Sequence, residues 1–397
     1  MDARPVRRTR WDPKACDICG AANGARTLGR RTYLCPARRS RYEMAHTDKL
    51  CGRCGFVFSG RVPQDAFLNK YYADSFTLTS KHATIAPAFD SDGRIRQLKK
   101  YLSSGASVLE IGANTGEFCR SLKKSGFRAE GVDPVAGASA ERGVRRGFVR
   151  GKGRARGAFD AVVSYYVLEH VTDARGWLRS ALAKLKKGGY LFIEVPDFEN
   201  HPAESLDKEH LLHFTPHHLK RLLVSAGFRM VKVDRGQASQ FFGFLAVAKW
   251  EGRPSARPAE RAEGKRIKAG AATYYRGLKE LEAKERRCRK KAEKIHAQVR
   301  KAGKKAEVIF WAANEYATGI GREFRQLSRL DPVIVDSSEK KIGCYHEGFQ
   351  RPIAAPAFRK TGAHRFFVLC SPAWNGAIRE QIRGMDLGRF TLIDALK

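Results

Sequence analysis

Apolar residues in this chain gather in short runs separated by longer amphipathic stretches, a pattern of strands alternating with helices. Residues 108–111 predict a strand, closed by the turn Gly112-Ala113-Asn114-Thr115-Gly116 and followed by a helix. Residues 127–133 predict the next strand, which ends on the carboxylate of Asp133. Further strands are expected at 148–149, 159–164, 190–195, 228–233 and 241–249, with helices over 89–100, 173–187 and 216–226. Gly188-Gly189 reads as the stop of the second of these helices, and Thr215 and Gly227 as caps of the third. Such alternation predicts an α/β fold, a mostly parallel sheet covered on both faces.

The pattern changes on either side of this unit. Residues 1–80 are short-stranded, rich in turn formers and carry paired cysteines, so they predict a small metal-binding domain ahead of the α/β domain at 81–250. In 251–305, Pro254 and Pro258 mark a linker. A long charged helix is expected over 273–300, with apolar Tyr274, Leu278, Leu281, Ala292 and Ile295, bridging domains. Residues 306–397 predict a second Rossmann-like α/β domain with strands at 308–311, 332–336, 365–369 and 390–393.

Length, charge and cysteines narrow the class. A chain of 397 residues accommodates two or three cores. No apolar stretch approaches the roughly 20 residues of a membrane span, and the first residues lack the apolar run of a secretory signal. The expected location is therefore cytoplasmic. A formal net charge of +34 attracts phosphates of any origin, whether nucleic acid, nucleotide sugar or lipid.

Three constellations carry chemistry. Cys16-Asp17-Ile18-Cys19-Gly20 and Cys51-Gly52-Arg53-Cys54-Gly55 are paired knuckles, each presenting two sulfurs to one tetrahedral ion. They predict a structural zinc site of Cys16, Cys19, Cys51 and Cys54, with Cys35 and His46 as lower-ranked substitutes. The turn after the first strand predicts a nucleoside site, in which Gly112 and Gly116 let the backbone approach the ligand and Asp133 accepts ribose hydroxyls. Glu110 would repel a pyrophosphate and suits a cationic ligand with a free amino group, which S-adenosylmethionine is; Glu110 and Asn114 would face its amino-acid end. Tyr165 and Tyr166 lie at the same sheet edge, to touch the adenosine or simply to pack. The third constellation is the loop Asp207-Lys208-Glu209-His210-Leu211-Leu212-His213, which overhangs that edge. Glu209 and His210 can remove a proton near neutral pH, or can only pin the loop. His201, His213, His217 and His218 raise a metal cluster as an alternative, and Glu169-His170 reads as a helix entry rather than a second acid–base pair.

Together, Leu109-Glu110-Ile111-Gly112-Ala113-Asn114-Thr115-Gly116, Val167-Leu168-Glu169-His170-Val171, Leu185-Lys186-Lys187-Gly188-Gly189 and Glu209-His210-Leu211-Leu212-His213-Phe214-Thr215 resemble class I S-adenosylmethionine-dependent methyltransferases, which have a seven-stranded sheet. The segment Cys51-Gly52-Arg53-Cys54-Gly55-Phe56-Val57-Phe58 with Tyr71-Tyr72, and the order of domains, resemble the three-domain, zinc-containing sugar C-methyltransferases. That resemblance implies a nucleotide-linked keto sugar as acceptor and Glu209 and His210 as catalytic residues. Asp207-Lys208 stands where the family usually has a tyrosine, and Ala312-Ala313-Asn314 lacks glycines, so 306–397 is expected to act as a lid or acceptor-binding domain. O-methylation of a glycan precursor, a nucleic-acid methyltransferase with a zinc recognition module, and a non-catalytic scaffold are the other readings.

Overall fold

The computed structural model describes residues 5–36, 40–75, 91–134, 136, 142–149, 157–235, 242–252, 264–301, 306–313, 315–328, 330–337, 342–343, 345–346, 348–349, 351–371 and 374–395. Its centre is a seven-stranded sheet, here numbered β1 (Ser107–Ile111), β2 (Arg128–Asp133), β3 (Val144–Arg146), β4 (Phe159–Tyr165), β5 (Leu185–Pro196), β6 (Phe228–Asp234) and β7 (Gly243–Trp250). The spatial order is β3-β2-β1-β4-β5-β7-β6, with β7 antiparallel to both of its neighbours and the other pairs parallel. Burial on both faces explains the near-continuous apolar runs. In β1, Leu109 and Ile111 enter one core while Val108 enters the other; in β7, Phe244, Ala246 and Ala248 face the first and Leu245 and Val247 the second.

Several expected boundaries move. The strand expected at 148–149 lies instead at Val144–Arg146, where Val144 pairs with Gly131. The helix expected over 173–187 closes at Leu182, and Gly188-Gly189 falls inside β5 rather than stopping a helix. Tertiary pairing explains this: Leu185, fully buried, pairs with Phe159, and the ladder shifts register before Ala161 resumes it opposite Tyr190. Gly188 takes φ +77° in that irregular stretch, a conformation suited to glycine. The helix expected over 89–100 is observed as Ser91–Leu98; Phe89, Pro254 and Pro258 lie outside the described residues. Thr215 caps Pro216–Ser225 as expected, accepting from His218 N.

The cysteine-bearing segment folds onto this sheet. Ala25–Pro36 and Arg41–Cys51 form an antiparallel hairpin, and the second strand alternates buried and half-buried side chains along its length. Next to Arg41–Cys51 comes Val57–Ser59, and beside that lies Leu212–His213, contributed by the loop after β5. The knuckle residues and Phe56, Phe58, Tyr42 and Tyr71 share one core with Leu109, Val162 and Leu191 of the central sheet.

The long helix runs from Gly264 to Arg300, starting earlier than its apolar periodicity indicated. Ala271 and Tyr274 pack with Leu50, Val57, Phe198 and Leu206, whereas Ala292, Ile295 and Val299 pack against the C-terminal sheet. That sheet is parallel, in the order Val333–Val335, Ala306–Trp311, His364–Leu369, Phe390–Asp394. No helix among the described residues is long and apolar enough to cross a membrane.

Candidate active site

The turn after β1 is built from positive-φ positions: Gly112 at 84°, Asn114 at 48° and Gly116 at 84°. A Cβ on Gly112 would lie 2.2 Å from Val167 Cγ2, so only glycine lets this turn pass the segment that follows β4. Gly112 N donates to Val132 O at 2.9 Å, and Asn114 N donates to Asp133 Oδ2, also at 2.9 Å. The acid at the tip of β2 is thus oriented by the turn it faces. Gly116 forms the N-cap of Glu117–Lys124 without a side-chain cap, which leaves the helix start to a ligand or solvent.

Glu110 is buried in β1, and Cys119 Sγ donates to its Oε2 at 3.0 Å. Burial pushes its carboxyl up to about 7, against the pull of the Cys119 hydrogen bond and the Arg94 charge. A cation beside it would restore the carboxylate, which fits the ammonium end of S-adenosylmethionine. Tyr165 ends β4, with Arg94 over its ring at 4.0 Å and Phe118 at its edge. Arg94 donates through Nε (2.9 Å) and Nη2 (2.5 Å) to Oε2 of the fully buried Glu194 on β5. Neither Arg94 nor Glu194 was singled out in the sequence, since they are far apart in the chain and belong to no motif.

A second group of side chains adjoins the segment following Val167. Tyr71 donates to Glu209 Oε1 at 2.5 Å. His170 Nδ1 donates to Glu209 O at 3.2 Å, and Leu211 N donates to Glu169 O at 2.8 Å. The rings of His170 and His210 meet edge to face at 4.8 Å. His210 Nδ1 and His213 Nδ1 both donate to Ser205 O. Glu169 and His170 lie, as expected, in a helix entry, the 3-10 turn Leu168–His170 ahead of Ala174–Leu182, and this turn also meets the loop at Glu209 and His210. A tyrosine does meet the Glu-His pair, but it comes from the cysteine-bearing segment rather than from the loop.

The loop is held from the other side by buried polar groups. Arg31 Nη1 donates to Leu206 O at 2.5 Å, and His46 Nε2 donates to Lys208 O at 2.8 Å. Arg31 also pairs with Asp48, which accepts from Tyr274 of the long helix at 2.9 Å. Burial keeps the His46 imidazole low, at about 4, so it is neutral at physiological pH.

All four knuckle cysteines converge. Cys16 and Cys54 sulfurs lie 3.6 Å apart, Cys19 and Cys51 sulfurs 3.5 Å, and the four lie within 4.8 Å of one another. Tetrahedral zinc with bonds of about 2.3 Å needs sulfur separations of about 3.8 Å, so the cluster is compatible with a zinc site. Four buried thiols in contact cannot all ionise without a cation among them. Hydrogen bonds from the Cys16 thiol hold Cys19 and Cys51 below the ordinary thiol value, while Cys16 itself is pushed up. His218 Nε2 donates to Cys54 O at 3.1 Å and braces the second knuckle. Cys35 and His46 lie outside this cluster, and His201, His213, His217 and His218 do not form one among the described residues.

Residues 86–233 match the family model described as Methyltransferase domain. The C-methyltransferase NovU of Streptomyces niveus is 30% identical over 172 residues, covering 39% of this chain and 41% of that protein. The Ubiquinone biosynthesis O-methyltransferase of Bradyrhizobium sp. is 32% identical over 102 residues, covering 23% of this chain and 40% of that protein. The chain thus spans less than half the length of the curated relatives it matches. Among solved structures, 1,6-didemethyltoxoflavin-N1-methyltransferase from Burkholderia thailandensis is 21% identical, with 49% of this chain and 95% of that one covered and a TM-score of 0.36. By the family match, residues 86–233 carry a methyltransferase domain.

Proposed function

We propose that the protein moves a methyl group from S-adenosylmethionine to a small acceptor, a nucleotide-linked keto sugar methylated at the carbon beside its ketone. The observation that carries this reading is the Tyr71–Glu209 hydrogen bond, which fixes a carboxylate in the loop that sets His210 against His170, in the segment whose Val167 packs on Gly112. When bound, S-adenosylmethionine supplies a methyl already activated on a sulfonium. Gly112, Asn114 and Gly116 let the backbone close on the nucleoside, Asp133 takes the ribose hydroxyls, and Glu110 takes the ammonium. Tyr165 closes the pocket. His210, its Nδ1–H held by Ser205 O, accepts the proton from the acceptor carbon at Nε2, and the Glu209 carboxylate, held by Tyr71, binds the acceptor beside it. The carbon–hydrogen bond breaks to His210 and the new carbon–carbon bond forms as the sulfur–methyl bond breaks.

The resemblance to sugar C-methyltransferases and the likeness to a C-methyltransferase support carbon as the acceptor atom. Oxygen is the second reading, favoured by the likeness to O-methyltransferases and by Asp207-Lys208 in the loop. In the same proposal Cys16, Cys19, Cys51 and Cys54 hold a structural zinc. The domain limits 1–80, 81–250, 251–305 and 306–397 also belong to it, with the last as a lid or acceptor-binding domain.

Transfer from labelled S-adenosylmethionine to a panel of nucleotide keto sugars tests this reading. Glu209→Gln and His210→Ala are expected to lower kcat by roughly a hundredfold or more, the usual worth of a positioned acid or base. Full turnover in both variants would remove them from the chemistry.

A further inference from the structure

The geometry points to a divalent transition-metal site at Glu169, His170 and His210, separate from the four-cysteine cluster. One potential ligand atom from each lies within 4.8 Å of those of the other two. Glu169 is 1% exposed, and neither of its carboxylate oxygens finds a hydrogen-bond partner among the described residues. His170 Nε2 lies 3.8 Å from Glu169 Oε1. A buried carboxylate with no donors is a costly arrangement, and a bound cation is the ligand that would relieve it.

The two imidazoles are oriented to supply that cation. His170 Nδ1 donates to Glu209 O and His210 Nδ1 to Ser205 O, so in each ring the proton sits on Nδ1 and the lone pair on Nε2. Metal-ligating histidines show this same pattern, with the second ring nitrogen donating to a backbone carbonyl. Two imidazoles and one carboxylate select zinc, cobalt, nickel or ferrous iron over magnesium or calcium, and three protein ligands leave coordination positions open. The His170 side chain, 21% exposed, gives an entry path.

An occupied site would engage the His210 lone pair, so metal and the proton-accepting role proposed for His210 exclude each other. Only that consequence rests on the methyltransferase reading; binding itself is read without turnover. The probe is Co2+ added to full-length protein already carrying one equivalent of zinc. Expected is one further equivalent of bound cobalt, with weak visible d–d absorption and no thiolate-to-cobalt charge-transfer band. Glu169→Gln and His170→Ala should each weaken that binding by roughly tenfold or more, with unchanged circular dichroism. If Glu169→Gln does not fold, the more exposed His170→Ala decides the matter. No cobalt beyond the zinc equivalent, or cobalt held equally well by a folded variant, would overturn the site. If cobalt binds as expected while protein carrying only its one zinc equivalent methylates no acceptor, the proposed function fails and the metal site stands.

Discussion

Gly112 and Glu110 show how single residues set the turn proposed to hold the cofactor. A Cβ at Gly112 would strike Val167, and its φ of 84° disfavours any other residue. Gly112→Ala is expected to cost on the order of 1–3 kcal/mol in stability and to weaken S-adenosylmethionine binding at least tenfold, read by thermal melting and calorimetry. Wild-type affinity in that variant would rule out a close backbone approach. Glu110 titrates at about 7 in the folded chain against 4.5 unfolded. Between those values the folded state holds a proton that the unfolded state has lost. Stability from this group is therefore greatest below pH 4.5 and falls as pH rises towards 7. Glu110→Gln should gain on wild type by up to about 3 kcal/mol between pH 4 and 8, while losing affinity for the donor's ammonium. A stability difference that stays flat across that range would contradict the assignment. These two residues were legible in sequence because one short motif holds them. Tyr71 and Arg94 were not legible as site residues, because their partners Glu209 and Glu194 lie 138 and 100 positions away.

At the scale of elements, the loop after β5 belongs to two structures at once. It carries Glu209 and His210, and its residues Leu212–His213 form an edge strand of the cysteine-bearing sheet. Loss of the zinc proposed for the knuckles should therefore loosen the loop as well as the N-terminal segment. Chelation, or Cys51→Ser, is expected to raise amide exchange across residues 207–213 and to abolish transfer while donor binding persists. A loop that stays protected with the metal removed would show that the two are independent. Sequence periodicity located most strands because burial on both faces writes an apolar run into each of them. It misread residues 183–189, where Leu185–Gly189 looks like a helix end, because pairing with β4 draws that stretch into β5. The coupling of loop to N-terminal sheet had no local signal, since antiparallel pairing across the Val57–His213 contact leaves no periodicity in either segment.

In the whole molecule the long helix ties the parts together. Its first half reaches the loop through Tyr274, Asp48 and Arg31, and its second half packs on the C-terminal sheet. Breaking the buried Arg31–Asp48 pair would leave an uncompensated charge, at about 3–5 kcal/mol. The proposed lid role of the C-terminal unit would thus have a physical route to the loop that carries Glu209 and His210. All of this presupposes that the turn between β1 and the following helix holds S-adenosylmethionine. Calorimetric titration of zinc-replete, full-length protein with that donor, and with its demethylated product, addresses the point without any acceptor. One saturable site per chain, abolished by Asp133→Ala, is the expected result. Absence of binding heat from either compound, on protein shown to be folded, would contradict it.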